Sequence, residues 1–184
     1  MVKLHYAERP DPYRHVISTL SLERLRSVKG DATVFVETGT NVGAGVQTAL
    51  EAGFERIISF EVIPALHDES AKRFDGNAKV ELIFGSSREK LGSTIQDIDQ
   101  KILFWLDGHE FYDIPLVDEL SQIKRLSRND HVILIDDMRM FGRDGWQEVT
   151  RETVIDLVLA INPDYQLTYL DSVMGGSDIL VARV

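Results

Sequence analysis

Short apolar runs alternate with longer amphipathic stretches along most of this chain. The runs are rich in β-branched and aromatic residues, which is typical of strands that helices cover on both faces. The pattern predicts strands at residues 33–37, 56–61, 79–84, 101–106, 131–135, 166–170 and 178–183. Helices are predicted between them, at residues 42–52, 64–74, 87–97, 114–126 and 146–161, with one more at 13–28. This order indicates an α/β fold in three layers, with a mostly parallel seven-stranded sheet.

The end of the chain differs from the rest of this pattern. Only DSVMGGS, residues 171–177, joins the last two predicted strands, and that is too short for a parallel crossover. We therefore expect a hairpin in which the last strand is antiparallel.

The helix predicted at residues 114–126 has the clearest apolar face. Pro115 suits its first turn and Asp113 can cap it. Four apolar residues recur at a spacing of three and should face the sheet: Val117, Leu120, Ile123 and Leu126.

Length and composition favour one ordinary globular domain. The chain has 184 residues, 43% of them hydrophobic and 27% charged, and no apolar run reaches the ~18 residues that a membrane span needs. We expect a single domain over 1–184, with a helical segment at 1–30 and the core at 31–184. The first residues lack the apolar stretch of a secretory signal, so we expect a cytoplasmic protein.

Charge and cysteine content restrict the chemistry. The net charge is −10 without a basic cluster, which disfavours nucleic acid as a partner. The chain has no cysteine, so any metal must be bound by oxygen or imidazole.

A glycine-rich turn, FVETGTNVGAG at residues 35–45, follows the first predicted strand. Glycines there allow a ligand to lie against bare backbone, and the next helix offers free N–H groups. The spacing GxxxGxG fits neither the dinucleotide fingerprint nor a P-loop. A carboxylate at Glu37 would repel a pyrophosphate but could pair with an ammonium group, which favours S-adenosylmethionine. The predicted contacts in this turn are Glu37, Gly39, Thr40, Asn41 and Gly43.

Two later segments extend this predicted cofactor site. Glu61, followed by Val62, ends the second strand about 20 residues after the glycines, where an acidic residue can bind both ribose hydroxyls. Ser86 and Ser87 follow the third strand, where they are small and polar enough to flank an adenine. Each segment has a simpler explanation, a solvated strand end for Glu61 and a helix cap for the serines.

Acidic residues also follow the fourth and fifth strands, in FWLDGH and ILIDD. Adjacent strand tips lie roughly 5 Å apart, so Asp107, Asp136 and Asp137 should converge, with His109 beside them. Three such carboxylates repel one another unless they are protonated or share a cation, and Mg²⁺ suits such a ligand set. His109 could then remove a proton from an acceptor hydroxyl. Asp107 could instead contact the cofactor, and His109 could only cap the turn.

These motifs together resemble class I S-adenosylmethionine-dependent methyltransferases over nearly the whole chain. FWLDGHEFYDIPLVDEL and HVILIDDMR are similar to small metal-dependent O-methyltransferases, which act on sugar hydroxyls of natural products and on catechols. The resemblance implies that Asp107, Asp136 and Asp137 bind Mg²⁺. The sequence departs from the family at Gly45, where relatives often have serine or threonine.

The expected activity is methyl transfer to a hydroxyl of a small-molecule acceptor. Tyr112, Arg139 and Phe141 are candidate acceptor contacts, although Phe141 could equally be a core residue. A homodimer could complete so small a pocket. The alternatives are a lyase or hydrolase that uses the same cofactor, a nucleotide-binding oxidoreductase, and a non-catalytic sensor of S-adenosylmethionine.

Overall fold

The computed structural model describes residues 19–108, 114–143, 145–173 and 175–184. The strands in this part are β1 (Val34–Thr38), β2 (Arg56–Glu61), β3 (Val80–Phe84), β4 (Ile102–Leu106), β5 (Val132–Ile135), β6 (Gln166–Leu170) and β7 (Ile179–Arg183). The helices are α1 (Leu22–Lys29), α2 (Ala44–Glu51), α3 (Pro64–Arg73), α4 (Ser87–Ile95), α5 (Leu116–Ile123) and α6 (Arg151–Leu159).

All seven strands form one sheet in the order β3-β2-β1-β4-β5-β7-β6. The pairs among β1 to β5 are parallel, whereas β7 is antiparallel to both β5 and β6. The last strand is thus the one that runs against the others, and the predicted fold class is confirmed.

Helices cover both faces of the sheet. One core cluster contains Leu91 of α4, Leu120 of α5 and Val154 of α6. The opposite cluster contains Leu25 of α1 and Val46 of α2. Alternate residues of the central strands enter the two clusters, so these strands are buried on both faces, as their apolar runs predict.

Two helices begin at least five residues later than the sequence predicts. The helix predicted at residues 146–161 begins at Arg151, because the Thr150 hydroxyl accepts a hydrogen bond from Thr153 N at 3.2 Å and caps it there. The helix predicted at 13–28 begins at Leu22 after Ser21, which accepts from Arg24 N. Residues 13–18 lie outside the described residues.

The buried face of α5 also differs from the prediction. Pro115 is its N-cap, and Asp113, the predicted cap, lies outside the described residues. Val117 is 38% exposed, so its predicted place on the buried face is wrong. The buried residues of the helix are Leu116, Glu119, Leu120 and Ile123. The helix is therefore rotated so that an acidic residue enters the core.

No helix in the described ranges combines the length and the apolar character that a membrane span requires.

Candidate active site

Acidic residues gather at one rim of the sheet. Glu37 is the second-last residue of β1 and Glu61 the last residue of β2. Asp107 and Asp136 directly follow β4 and β5. Asp178 directly precedes the antiparallel β7 and so reaches the same rim. In open α/β sheets, ligands bind beyond the carboxyl ends of the parallel strands, which is where these groups lie.

The glycine-rich turn is wound tightly between β1 and α2. Gly39, Asn41 and Gly43 have φ values of 88°, 51° and 80°, in the left-handed region. A Cβ at Gly39 would lie 2.5 Å from the carbonyl oxygen of Asp107, so the first turn and the Asp107 turn touch through backbone alone. Two predicted parts of the site are thereby in direct contact.

Glu37 is buried beneath this turn, with 2% of its surface exposed. Ser59 Oγ donates a hydrogen bond to Glu37 Oε2 at 2.6 Å, and the hydroxyl of Thr40 lies 2.6 Å from that of Ser59. Burial raises the pKa of Glu37 to about 8, against the opposing effect of the Ser59 hydrogen bond. The Thr40 side chain therefore belongs to a buried polar network under the turn.

Glu37 also explains the departure from the family pattern at Gly45. A Cβ at Gly45, in the first turn of α2, would lie 1.7 Å from Glu37 Oε1. Gly45 is needed for space, because a serine or threonine would collide with the carboxyl group.

Glu61, predicted to bind the ribose, is 5% exposed and is anchored by backbone amides. Asn41 N donates to its Oε2 at 2.6 Å, and Ile63 N donates to its Oε1 at 2.8 Å. These bonds fix the carboxylate between the glycine-rich turn and Val62, which is half-buried.

The two serines of the predicted adenine site lie at the start of α4. Ser86 is the N-cap residue and is half-buried. Ser87 is buried and donates from Oγ to Glu119 Oε1 at 2.5 Å. The Ser87 hydroxyl is thus bound to α5, which the sequence did not indicate.

Asp107, Asp136 and Asp137 lie on neighbouring strand ends, as predicted. Burial raises the pKa of Asp107 well above its usual value, and the charges of Asp136 and Asp137 raise it further. Burial likewise raises the pKa of Asp136 to about 6, although Thr19 Oγ1 donates to its Oδ2 at 2.5 Å. The other Asp136 oxygen, Oδ1, is buried without a hydrogen-bond partner.

The sequence did not identify Asp178 as part of this cluster. Oxygen atoms of Asp136, Asp137 and Asp178 lie within 4.8 Å of one another, a grouping that does not include Asp107. Asp178 is fully buried and accepts from Ser172 Oγ at 2.6 Å and from Arg139 N at 3.0 Å. The sequence did not reveal its position because β7 is antiparallel to β5, so that the start of β7, rather than its end, lies at this rim.

The three predicted acceptor contacts have different outcomes. The Arg139 guanidinium pairs with Asp137 at 2.7 Å and with Asp178, and its side chain is 30% exposed. Phe141 is 4% exposed and packs edge-on against Trp146, as the core alternative expects. Tyr112, and the predicted base His109, lie outside the described residues.

The architecture is that of the class I S-adenosylmethionine-dependent methyltransferase fold. TomG, an O-methyltransferase of tomaymycin synthesis from Streptomyces achromogenes solved with S-adenosylmethionine, superimposes with a TM-score of 0.68 at 17% identity, over 90% of this chain and 78% of that one. A Bacillus cereus O-methyltransferase solved with S-adenosylhomocysteine gives 0.63 at 15%, over 98% and 83%. CalS11, a TDP-rhamnose 3′-O-methyltransferase of calicheamicin biosynthesis, gives 0.58 at 20%, over 90% and 78%. No protein-family model and no curated protein sequence matches the chain.

Replacing Gly45 by alanine should destabilise the protein by about 1–3 kcal/mol, because the new methyl group collides with Glu37. In a Glu37→Ala background the same change should be neutral, or stabilising by up to about 1 kcal/mol, since alanine is the better helix former. Urea unfolding of the two single variants and the double variant measures both effects. Equal effects of Gly45→Ala in the two backgrounds would contradict the contact.

Glu37 should also make stability depend on pH. Its folded pKa of about 8 lies above the ordinary value of 4.5, so the folded state binds the extra proton between these values. The contribution of Glu37 to the free energy of unfolding should then decrease as the pH rises from about 4.5 to 8. Glu37→Gln should flatten this slope and give the more stable protein at pH 8.5. Thermal unfolding from pH 5 to 8.5 tests this, and parallel curves would show that Glu37 is ionised throughout.

Proposed function

We propose that this protein transfers a methyl group from S-adenosylmethionine to a hydroxyl of a small-molecule acceptor, a sugar or an aromatic compound. The observation that carries this proposal is the set of buried carboxyl groups around the glycine-rich turn. Such a lining disfavours a pyrophosphate and suits a ligand that carries an ammonium and a sulfonium group. The methyltransferase fold supports the same cofactor.

In the proposed complex, the glycine-rich turn binds the methionine end through Gly39, Thr40, Asn41 and Gly43, above Glu37. Glu61 accepts hydrogen bonds from the ribose hydroxyls. Ser86, Ser87 and Val62 flank the adenine. Asp107 lies between the cofactor and the acceptor, because its backbone touches Gly39.

The transfer is a direct displacement. An oxygen lone pair of the acceptor attacks the methyl carbon, the carbon–sulfur bond breaks, and its electrons leave on S-adenosylhomocysteine. His109, the residue after Gly108, takes the proton from the acceptor hydroxyl. The remaining acceleration comes from holding oxygen, carbon and sulfur in line, since the sulfonium is already activated.

The aspartates fit a divalent cation, which we propose to be Mg²⁺. Asp136 Oδ1 is buried without a partner, and Asp107 is close enough to Asp136 and Asp137 for their charges to raise its pKa. Asp107, Asp136 and Asp137 would hold the ion, which when bound would lower the pKa of the acceptor hydroxyl. Arg139 already neutralises part of the charge on Asp137.

The acceptor site is proposed to lie over the β5–α6 loop, with Tyr112 and Arg139 as contacts. Phe141, also predicted as a contact, is buried and would instead support that loop. The O-methyltransferases TomG and CalS11 act in natural-product synthesis, which supports a small acceptor. The net charge of −10 argues against a nucleic acid, and a second copy of the chain could complete the pocket.

Titration calorimetry with S-adenosylhomocysteine, S-adenosylmethionine and NAD tests the cofactor. Both adenosyl ligands should bind and NAD should not. Glu61→Gln should weaken binding by about 1.5–3 kcal/mol, because the ribose hydroxyls lose a charged acceptor. Glu81→Gln, on the exposed surface of the neighbouring strand, is the matched control and should bind normally. Binding of NAD alone would refute the proposal, and adenosyl binding without turnover of any acceptor would favour a sensor.

Mn²⁺ binding, followed by electron paramagnetic resonance as a substitute for Mg²⁺, tests the metal site. We expect binding by the wild type, and its loss in Asp136→Asn and Asp107→Asn, because each removes a charged oxygen ligand. Asp178→Asn is the discriminating variant and should still bind. Loss in Asp178→Asn but not in Asp107→Asn would move the ion to the Asp136, Asp137 and Asp178 group. No binding by the wild type would refute the metal proposal.

A further inference from the structure

One positively charged side chain lies among the acidic residues of the proposed metal site. Arg139 follows Asp137 by two residues, and its Nη1 atom lies 2.7 Å from Asp137 Oδ1. The same nitrogen also pairs with Oδ2 of Asp178. Oxygen atoms of Asp136, Asp137 and Asp178 lie within 4.8 Å of one another, so the guanidinium serves as counter-ion to two members of this group.

The two partners of Arg139 hold it with unequal strength. Asp178 is 0% exposed and binds Arg139 twice, since its Oδ1 also accepts from the Arg139 backbone N at 3.0 Å. Its carbonyl oxygen accepts from Met138 N at 2.9 Å, which ties the same segment to β7. The side chain of Asp137 is 24% exposed, so water screens its ion pair with Arg139. Removing the partner of a buried charge is costly, which makes the contact with Asp137 the exchangeable one.

The guanidinium and a divalent ion would compete for Asp137. A carboxylate oxygen lies about 2.1 Å from a bound Mg²⁺. An ion and Nη1 that share Asp137 Oδ1 would therefore be at most about 5 Å apart, where two positive charges repel each other. The Arg139 side chain is 30% exposed, so it has room to turn towards solvent.

We propose that Arg139 is an internal counter-ion of the metal site, which releases Asp137 when a divalent ion binds and keeps Asp178 as its partner. Asp178 is then the anchor of Arg139 and not a ligand of the ion. The inference rests on the proposed function, because it requires that Asp137 binds an ion.

Mn²⁺ affinity, measured by electron paramagnetic resonance, tests the competition. Arg139→Gln should bind Mn²⁺ about tenfold more tightly than the wild type, because Asp137 is then free in every molecule. Arg143→Gln is the matched control, since it removes the same charge from an exposed position of the same loop. Its affinity should stay within about twofold of the wild type, because salt screens exposed charges. Equal tightening in both variants would reveal a general charge effect and overturn the inference.

A double variant, Arg139→Gln with Asp178→Asn, separates competition from net charge. It removes one charge of each sign, so the net charge of the site is unchanged. It also leaves no carboxylate at position 178 without its partner, and it therefore replaces Arg139→Gln if that variant does not fold. Competition predicts that the double variant still binds Mn²⁺ more tightly than the wild type. Equal affinity would overturn the inference, and so would weaker binding, which would make Asp178 a ligand.

NMR of the wild type during titration with Mg²⁺ follows Arg139 itself. The guanidinium signals of Arg139 should shift as Mg²⁺ binds, whereas its backbone amide, bonded to Asp178 Oδ1, should keep its protection from hydrogen exchange. Unchanged guanidinium signals at saturating Mg²⁺ would overturn the inference. Absence of Mn²⁺ binding in the wild type and in all of these variants would refute the metal proposal itself.

Discussion

The structure of this protein depends on the burial of five carboxyl groups at one end of its sheet: Glu37, Glu61, Glu119, Asp136 and Asp178. Each would cost several kcal/mol if it were charged and left without a partner. Their partners are hydroxyl groups, backbone amides and the guanidinium of Arg139, although one oxygen of Asp136 and one of Glu119 have no hydrogen-bond partner. Burial raises the pKa of Glu37, Glu119 and Asp136, and a cationic ligand or a divalent ion bound nearby would favour their ionised forms.

The glycine-rich turn is in direct contact with two of these buried carboxyl groups, those of Glu37 and Glu61. The turn follows Glu37, leaves space at Gly45 for that carboxyl group, and gives the Asn41 amide to Glu61. The conformation of the turn therefore accommodates Glu37 and Glu61, in addition to any role in binding a ligand. The third glycine of the GxxxGxG motif has a steric explanation in the contact between Gly45 and Glu37.

Most of the rim could be predicted from the sequence, because parallel strands bring their carboxyl ends together. A residue at the end of β1, β2, β4 or β5 had to lie there once the strands were identified, and this located Glu37, Glu61, Asp107 and Asp136. Asp178 could not be located in the same way, because it precedes a strand whose direction places its beginning at the rim. The pairing of Arg139 with Asp137 and Asp178 depends on that same insertion of β7 between β5 and β6.

Glu119 shows the limit of reading a helix by its apolar spacing. Val117, Leu120 and Ile123 recur every three residues, yet Val117 is exposed and Glu119 is buried, because the side chains of α5 meet polar partners as well as apolar ones. The hydroxyl of Ser87 gives the buried carboxyl group of Glu119 a hydrogen-bond partner. The two residues are 32 positions apart in the sequence, so no local window of sequence contains both. A buried acidic residue that breaks the amphipathic pattern of a helix, as Glu119 does, is expected near a functional site, where local sequence rules are most often violated.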